Sequence, residues 1–345
     1  MSDNKKRTEL QEMGEFRLID HLTESIKLKN KTTVKGVGDD AAVLDPQGKH
    51  MVVTTDYLLE GIHFDLVYHP LKHLGYKAVV VNVSDVYAMN AIPHQVTISI
   101  GVSKRFCLED LEEFYEGVNL ACKMYGVDLV GGDTTASLTG MVISVTAIGY
   151  ADKEKICYRS GAKENDLICV TGDLGAAYMG LQLLEREKAV FQSNPGVQPR
   201  LEGYDYILER ILKPEARKPA VELLAELGVV PTSMIDISDG LSSELLHICK
   251  HSEVGCKVFL EKIPIDQETH RMANEMNIDP VVAAFSGGED YELMFTVPVG
   301  LHNKVKEMEG VSIVGHISHK NDGPKLVTPD GKEITITAQG WNAIT

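Results

Sequence analysis

Six short acidic clusters recur along this chain, most of them flanked by glycine or following an apolar run, and they limit what it can fold into. The first lies in V-K-G-V-G-D-D-A-A, Val34 to Ala42. Next come V-T-T-D (Val53 to Asp56), N-V-S-D (Asn82 to Asp85) and G-G-D-T-T (Gly131 to Thr135). D-I-S-D-G (Asp236 to Gly240) and G-G-E-D-Y (Gly287 to Tyr291) follow in the second half. Strand-like runs that end in such clusters would crowd carboxylates together. Two carboxylates about 5 Å apart repel by roughly 3 kcal/mol at an effective dielectric near 20. A fold that gathers them is tolerable with cations between them, which points to magnesium holding a polyphosphate.

Charge balance argues the same way: 34 basic against 50 acidic residues give a net charge of −16. Such a surface repels nucleic acid and anionic membrane, so neither is expected as a partner. An anionic substrate would need bound metal to reverse the local sign. No apolar run approaches the length of a membrane span, and Met1 to Glu15 lacks the apolar stretch of a signal peptide. The six cysteines (Cys107, Cys122, Cys157, Cys169, Cys249 and Cys256) show no C-x-x-C pairing and fall mostly in apolar helix or strand patterns. Buried, reduced thiols and a cytoplasmic protein are the expectation.

At 345 residues there is room for two domains with separate cores. Helical spacing runs over Glu15 to Ile26, Gly75 to Met89 and Leu108 to Tyr125, the second of these apolar nearly all round, as in a buried helix. Short strands are expected at Met51 to Thr55, Gln95 to Val102, Val127 to Val130 and Met141 to Tyr150. The second half alternates a strand at Asp166 to Val170, helices from Leu174, Pro214 and Leu241, and strands at Met234 to Ile237, Lys257 to Leu260, Glu292 to Val297 and Ser312 to His316. Lys188 to Glu202, with two prolines and no periodicity, reads as a mobile insertion. The expected class is α/β (α+β) in a two-domain protomer. A charged connector between Tyr150 and Tyr158 would divide it into 1–152 and 153–345.

Each motif has a bland counterpart. G-V-G-D-D-A mimics a dinucleotide fingerprint, with Asp56 as the ribose acid 18 residues after Gly38. Asp39 and Asp40, however, would face a pyrophosphate with negative charge instead of bare amides. No G-x-x-x-x-G-K-[S/T] occurs, and H-R-D and D-F-G are missing, so P-loop and protein-kinase architectures are excluded. Thr54, Thr55 and Asp56 offer hard oxygens of the kind magnesium takes, although such a triplet is also ordinary turn chemistry. In D-I-S-D-G-L, Ser238 or Asp239 is expected to cap a helix from Leu241, which leaves Asp236 unexplained. G-G-E-D-Y-E places three acids in four residues beside a strand. His247 and His251, four apart with Glu244 nearby, lack a third zinc ligand at a matching spacing and read as a solvated face. Trp341 reads from spacing alone as a packing anchor.

Taken in order, GVGDDAAV, TTDYLLEGIHF, KAVVVNVSDVYAM, GGDTT, RSGA, DISDGL and SGGEDYEL resemble the thiamine-monophosphate kinase family over essentially the whole chain. That family shares a superfamily with aminoimidazole ribonucleotide synthetase, selenophosphate synthetase and a hydrogenase maturation protein. The resemblance implies ATP-dependent phosphorylation of thiamine monophosphate at a site with several Mg²⁺ ions, with K⁺ as a candidate additional cation. It implies a homodimer formed through an N-terminal α/β domain that binds ATP and metal, with a C-terminal α+β domain completing the substrate site. By the same resemblance Asp40, Thr54, Thr55, Asp56, Asp85, Asp133, Asp236 and Asp239 are magnesium ligands, with Asp56 and Asp85 the most critical. Gly132, Asp133, Arg159 and Ser238 would contact nucleotide, and His63, Glu289 and Trp341 would contact thiamine monophosphate, which turns Trp341 from packing to stacking. Two positions depart from the pattern: Ala136 follows G-G-D-T-T where Arg is frequent, and Asn90 stands where Gly is usual. The rival expectations are another ATP-dependent synthetase of the superfamily and a non-catalytic divalent-metal-binding protein. A selenophosphate synthetase would carry a reactive Cys near the N-terminus, whereas the first here is Cys107.

Overall fold

A computed structural model describes residues 21–35 and 43–337 of the chain. It divides into two compact units, one comprising residues 1–86 and 91–154, the other 87–90 and 155–345. Each is mixed α/β, as expected, although several elements run beyond the bounds read from the sequence.

In the first unit, β1 (Thr33–Lys35) and β2 (Val43–Leu44) form a small antiparallel pair. A four-stranded sheet follows, from β3 (His50–Leu59), β4 (Ile92–Val102), β5 (Asp128–Ala136) and β6 (Met141–Ala151), in the order β3-β6-β4-β5. Only β4 and β5 are parallel; the other neighbours are antiparallel. Alternation along the strands sorts the two faces. Asp56, Val145, Ile98 and Gly132 lie in one row across the sheet, and Tyr57, Ser144, Ser99 and Asp133 in the next. The first row belongs to the face where Val96, Ile98, Ile143 and Val145 are buried. The second belongs to an open face, on which Val53 and Tyr57 are 58% and 56% exposed.

Helix α1 (Leu71–Ala88) is buried without interruption from Leu74 to Ser84, in keeping with its all-round apolar sequence. It crosses α2 (Leu108–Tyr125) at unusually close range. A Cβ on Gly117 would stand 1.8 Å from the Lys72 carbonyl oxygen, and one on Gly75 would stand 2.0 Å from that of Phe114. Cys107 opens α2, with its amide bonded to the Asp110 carboxylate at 2.8 Å. Asp128, 1% exposed, draws in β1 and the segment leading to it by accepting from the amides of Lys29 and Asn30 and the Thr33 hydroxyl at 2.6, 2.9 and 2.8 Å.

The second unit is built on seven strands, β7 (Leu167–Thr171), β8 (Ser233–Ile237), β9 (Gly255–Phe259), β10 (Glu292–Val297), β11 (Val311–Ser318), β12 (Pro324–Val327) and β13 (Glu333–Thr335). Their order is β13-β12-β9-β11-β7-β10-β8, antiparallel throughout except for β12 beside β9. The helices are α3 (Ala176–Ser193), α4 (Asp205–Leu212), α5 (Lys218–Glu226), α6 (Leu241–Ser252), α7 (Gln267–Glu275), α8 (Pro280–Ser286) and α9 (His302–Lys306). One core packs Leu241, Leu245 and Ile248 of α6 and Phe285 of α8 against Ile168, Ile235, Val258 and Met294 of the sheet. A second joins Met179 and Leu183 of α3 to Ile207 of α4, Met272 of α7 and Ala283 of α8. Helix α3 continues through Ser193, so part of the expected insertion is helical, and Arg200 ties the following loop back through its amide to Glu187 at 2.8 Å.

The helix crossing supplies a direct test. Gly117→Ala places a methyl group into backbone that cannot rotate away, so we expect a loss of about 3 kcal/mol or more in unfolding free energy. Urea titration of the purified variant reads it, and a loss under about 1 kcal/mol would show that the two helices can separate freely.

Candidate active site

Among the described residues, the acidic motifs of the first unit sit inside regular elements and not at their ends; Asp39 and Asp40 of G-V-G-D-D-A lie outside the described residues. Thr54, Thr55 and Asp56 lie mid-strand in β3, G-G-D-T-T lies within β5, and N-V-S-D lies within α1. The expectation that strand ends gather the acids is therefore corrected for this half. What gathers them is the packing of α1 on the covered face of the sheet. The Thr54 hydroxyl donates to Asp85 Oδ2 at 2.6 Å. Asn82, one helical turn before Asp85, accepts the Asp56 amide on Oδ1 at 3.0 Å and donates from Nδ2 to the Ala78 carbonyl at 3.0 Å. Thr54, Asp56 and Asp85 thus meet across one helix–strand seam. Asn82 is a positioning residue that the motif reading passed over, although it stands in N-V-S-D itself.

Three first-unit candidates fall elsewhere. Thr55 points to the open face, where its hydroxyl donates to the Val145 carbonyl at 2.9 Å and accepts from Thr146 at 3.1 Å. Asp133 is exposed on that same face, three strand spacings from β3, or about 14 Å. One copy of the unit does not bring Asp133 beside Asp56. His63 lies in the turn after β3, where its Nδ1 accepts the Leu59 amide at 3.0 Å.

In the second unit two motifs form a single structure. Asp236 is buried in β8, and Ser238 and Asp239 follow it, both exposed. The Glu289 amide donates to the Ser238 carbonyl at 2.7 Å and the Tyr291 amide to the Ile237 carbonyl at 2.9 Å. Ser242 donates from its hydroxyl to the Phe285 carbonyl at 2.7 Å. Contact is so close that a Cβ on Gly288 would lie 2.5 Å from the Ser238 oxygen, and one on Gly240 would lie 2.6 Å from that of Phe285. Glu289 and Tyr291 both adopt positive φ, at 64° and 52°, a conformation that concentrates at functional loops. Neither Ser238 nor Asp239 caps α6: Gly240 is the N-cap residue, and no side chain bonds there. The capping expectation is corrected. In place of a cap, Glu244 accepts the amides of Ser238 and Asp239 on one oxygen at 3.1 and 2.9 Å. Burial pushes the Glu244 carboxyl up to about 7, with the Asp239 charge adding and the two amides opposing.

Arg159 is exposed, in a turn whose neighbour Tyr158 accepts the Met234 amide at the edge of β8. His247 is held below its usual range by burial first and then by Arg159, while the Asp239 charge pulls the other way. Arg159 and Asp239 therefore both stand within electrostatic reach of His247.

Beneath the Glu289 loop is a buried charge network. Arg210 reaches Glu292 at 2.9 Å and Asp290 at 3.9 Å, and Arg217 pairs with Glu292 as well. Thr171 donates to Glu292 at 2.6 Å, and both Asp290 oxygens accept the Gly175 amide at the start of α3 at 3.0 Å.

Among the described residues no three His, Cys, Asp or Glu side chains are preassembled as a metal site. Magnesium does not demand one, because it takes one or two carboxylates and completes its octahedron with water and substrate phosphate oxygens. Asp56 and Asp85, at the seam with the Thr54 hydroxyl, offer hard oxygens in that number, while Asp236 is buried in β8 and Asp239 is exposed just past its end. Asp40 and Trp341 lie outside the described residues. The Cys107 thiol is raised, chiefly by burial, which is the opposite of a reactive nucleophile.

Comparison with known proteins follows the same outline. Residues 38–151 match the family model for the AIR synthase related protein N-terminal domain. A thiamine-monophosphate kinase of Bacillus subtilis is 32% identical over 336 residues, covering 96% of this chain and 99% of the relative. The chain belongs to the thiamine-monophosphate kinase family. It is accordingly an enzyme, a kinase. Its counterpart in Aquifex aeolicus is 33% identical over 333 residues, 96% of this chain and 98% of that one. A solved structure described as AaThiL complexed with AMPPCP and TMP superposes with a TM-score of 0.75 at 31% identity, covering 99% of this chain and 100% of that one.

The charge network sets a pH signature. Full burial is the main cause that pushes the Asp290 carboxyl up to about 7, against the pull of Arg210. In the unfolded chain an aspartate titrates near 4. Between those values the folded state holds a proton that the unfolded state has released. The contribution of Asp290 to stability is therefore full below about pH 4 and falls as pH rises towards 7. Asp290→Asn should flatten that fall, so its stability relative to the parent improves by up to about 1.4 kcal/mol per pH unit in the window. Urea unfolding from pH 4 to 8 measures it, and parallel curves would show that Asp290 is ionised throughout.

Proposed function

We propose that this kinase transfers the terminal phosphoryl group of ATP to the phosphate of thiamine monophosphate, yielding thiamine diphosphate and ADP. Support comes from relatives of that name matched over nearly their whole length, and from the similar structure whose ligands are AMPPCP and TMP. An oxygen of the acceptor phosphate forms the new bond to the γ-phosphorus as the bond to the bridging oxygen of ADP breaks. That oxygen is already ionised, so no strong general base is needed, in keeping with a site of acids and hydroxyls.

The seam of Thr54, Asp56 and Asp85 is the observation that carries the chemical reading. Several Mg²⁺ ions, when bound, would neutralise the phosphates and align the in-line displacement. Asp56 and Asp85 with Thr54 would hold them on the first unit, and Asp236 with Asp239 on the second, with Asp40 and Thr55 as further candidates from the family pattern. Thr55 would serve through its backbone oxygen, since its hydroxyl is committed elsewhere. Ser238 and Arg159 are exposed and suit nucleotide phosphates, and Gly132 with Asp133 complete the proposed nucleotide contacts. His63, Glu289 and Trp341 are proposed for the thiamine monophosphate. A role for K⁺ finds no separate support.

The open sheet face is proposed as the seat of a second copy of the chain. Val53 and Tyr57 are more than half exposed there, flanked by the half-buried Thr146 and Ile148. Such a mixed apolar face on an antiparallel sheet suits an isologous interface. All six cysteines are free, which supports a reducing, cytoplasmic setting.

Two experiments test the reading. Purified protein should form thiamine diphosphate from ATP and thiamine monophosphate with Mg²⁺ and not after chelation. Asp56→Asn and Asp85→Asn should each lower turnover by about 100-fold or more with no fall in the unfolding midpoint; normal turnover in either would remove that residue from the mechanism. For assembly, light scattering should give twice the 37.9 kDa chain mass for the parent and the single-chain mass for Tyr57→Glu. A parent that elutes as a monomer would overturn the interface.

A further inference from the structure

We propose that Glu244 is a positioning residue: its carboxylate fixes the backbone of the Ser238–Asp239 turn so that both side chains face outward, towards the nucleotide and metal of the function proposed above. The geometry is specific. Glu244 is 2% exposed, in the first turns of α6, while Ser238 and Asp239 are exposed. A single oxygen, Oε1, accepts both turn amides at 3.1 and 2.9 Å. Those amides precede the helix, so the carboxylate is holding the turn and not merely satisfying the first helical turn. From the other side the Ser238 carbonyl accepts the Glu289 amide at 2.7 Å. The turn is thereby gripped by its amides from within and by its carbonyl from the Glu289 loop, with Ser238 and Asp239 contributing no capping bond to α6.

Leu245 and Ile248 enclose the stem of the helix in the core, so Glu244 has little freedom to swing away. Losing both bonds leaves two backbone amides without their acceptor and opens the turn by a factor of about ten or more.

Hydrogen exchange and steady-state kinetics on the full-length protein test this. In Glu244→Ala, amides of the Asp236 to Leu241 segment should exchange about tenfold or more faster, and kcat/KM for ATP should fall about 30-fold. Glu244→Gln keeps the accepting oxygen and should restore both readouts to within about threefold of the parent. Parental exchange in Glu244→Ala would overturn the proposal, as would a Gln variant as unprotected as the Ala variant. Should the Ala variant not fold, Glu244→Gln decides alone, with retained protection sustaining the clamp and lost protection overturning it. Exchange is read without substrate, so it stands even if the parent forms no thiamine diphosphate, an outcome that would sink the function and leave the clamp intact.

Discussion

The hydrogen bond from the Thr54 hydroxyl to Asp85 spans 31 residues of sequence and joins a strand to the helix that covers it. Asn82 repeats the device one turn earlier by taking the Asp56 amide. Together they set two carboxylates on one seam, with the Asp85 carboxylate and the Asn82 side-chain oxygen each accepting a bond from β3. That division of labour is what lets a protein of net charge −16 concentrate acids where phosphates must bind. Repulsion between unscreened neighbours would otherwise open the seam. The close crossing of α1 and α2 supports it from behind, because a helix pinned at Gly75 and Gly117 cannot tilt to relieve the strain.

The second unit solves the same problem with backbone. Amides of Glu289 and Tyr291 fasten one loop to the carbonyls of Ser238 and Ile237, and Glu244 takes the amides of the turn beneath. Support for that loop is ionic and buried. Arg210 and Arg217 share Glu292, and Asp290 anchors the start of α3 through Gly175. Buried charges of this kind are weak evidence for stability by themselves, since desolvation offsets much of the attraction. Their evident use here is to hold Glu289 and Tyr291 in a backbone conformation neither would adopt unaided.

Much of this was legible in the sequence, and the failures are instructive. Periodic segments such as α2 and the interior strand β10 matched the reading to the residue. Short strands were underextended wherever polar residues interrupted apolar ones, as in β3, expected to end at Thr55, where Asp56 to Leu59 continue the ladder against Val145 to Val142. Pairing across the sheet overrode local turn chemistry there. Helices α4, α7 and α8 were missed because they are seven to nine residues long and present narrow apolar faces. The acidic motifs marked the right neighbourhoods, but not which faces they occupy: the strand period sends Thr54 and Thr55 to opposite sides of one sheet. Glu244 drew notice only for its nearness to two histidines, since nothing in a linear spacing reveals that a buried acid will accept two amides from the turn before its helix.

The strand order of the second unit bears on how the chain is made. β7 lies between β10 and β11, and Thr171 meets its partner Glu292 across 121 residues. Both neighbours of β7 are synthesised after it. At translation rates of about 5 to 20 residues per second, β7 waits on the order of ten seconds on the ribosome as an apolar, unpaired strand. Its thiol, Cys169, and the run around it are then open to chaperones and to pairing with other nascent chains. The enclosure that later makes this strand the middle of a sheet is thus the source of its exposure at birth.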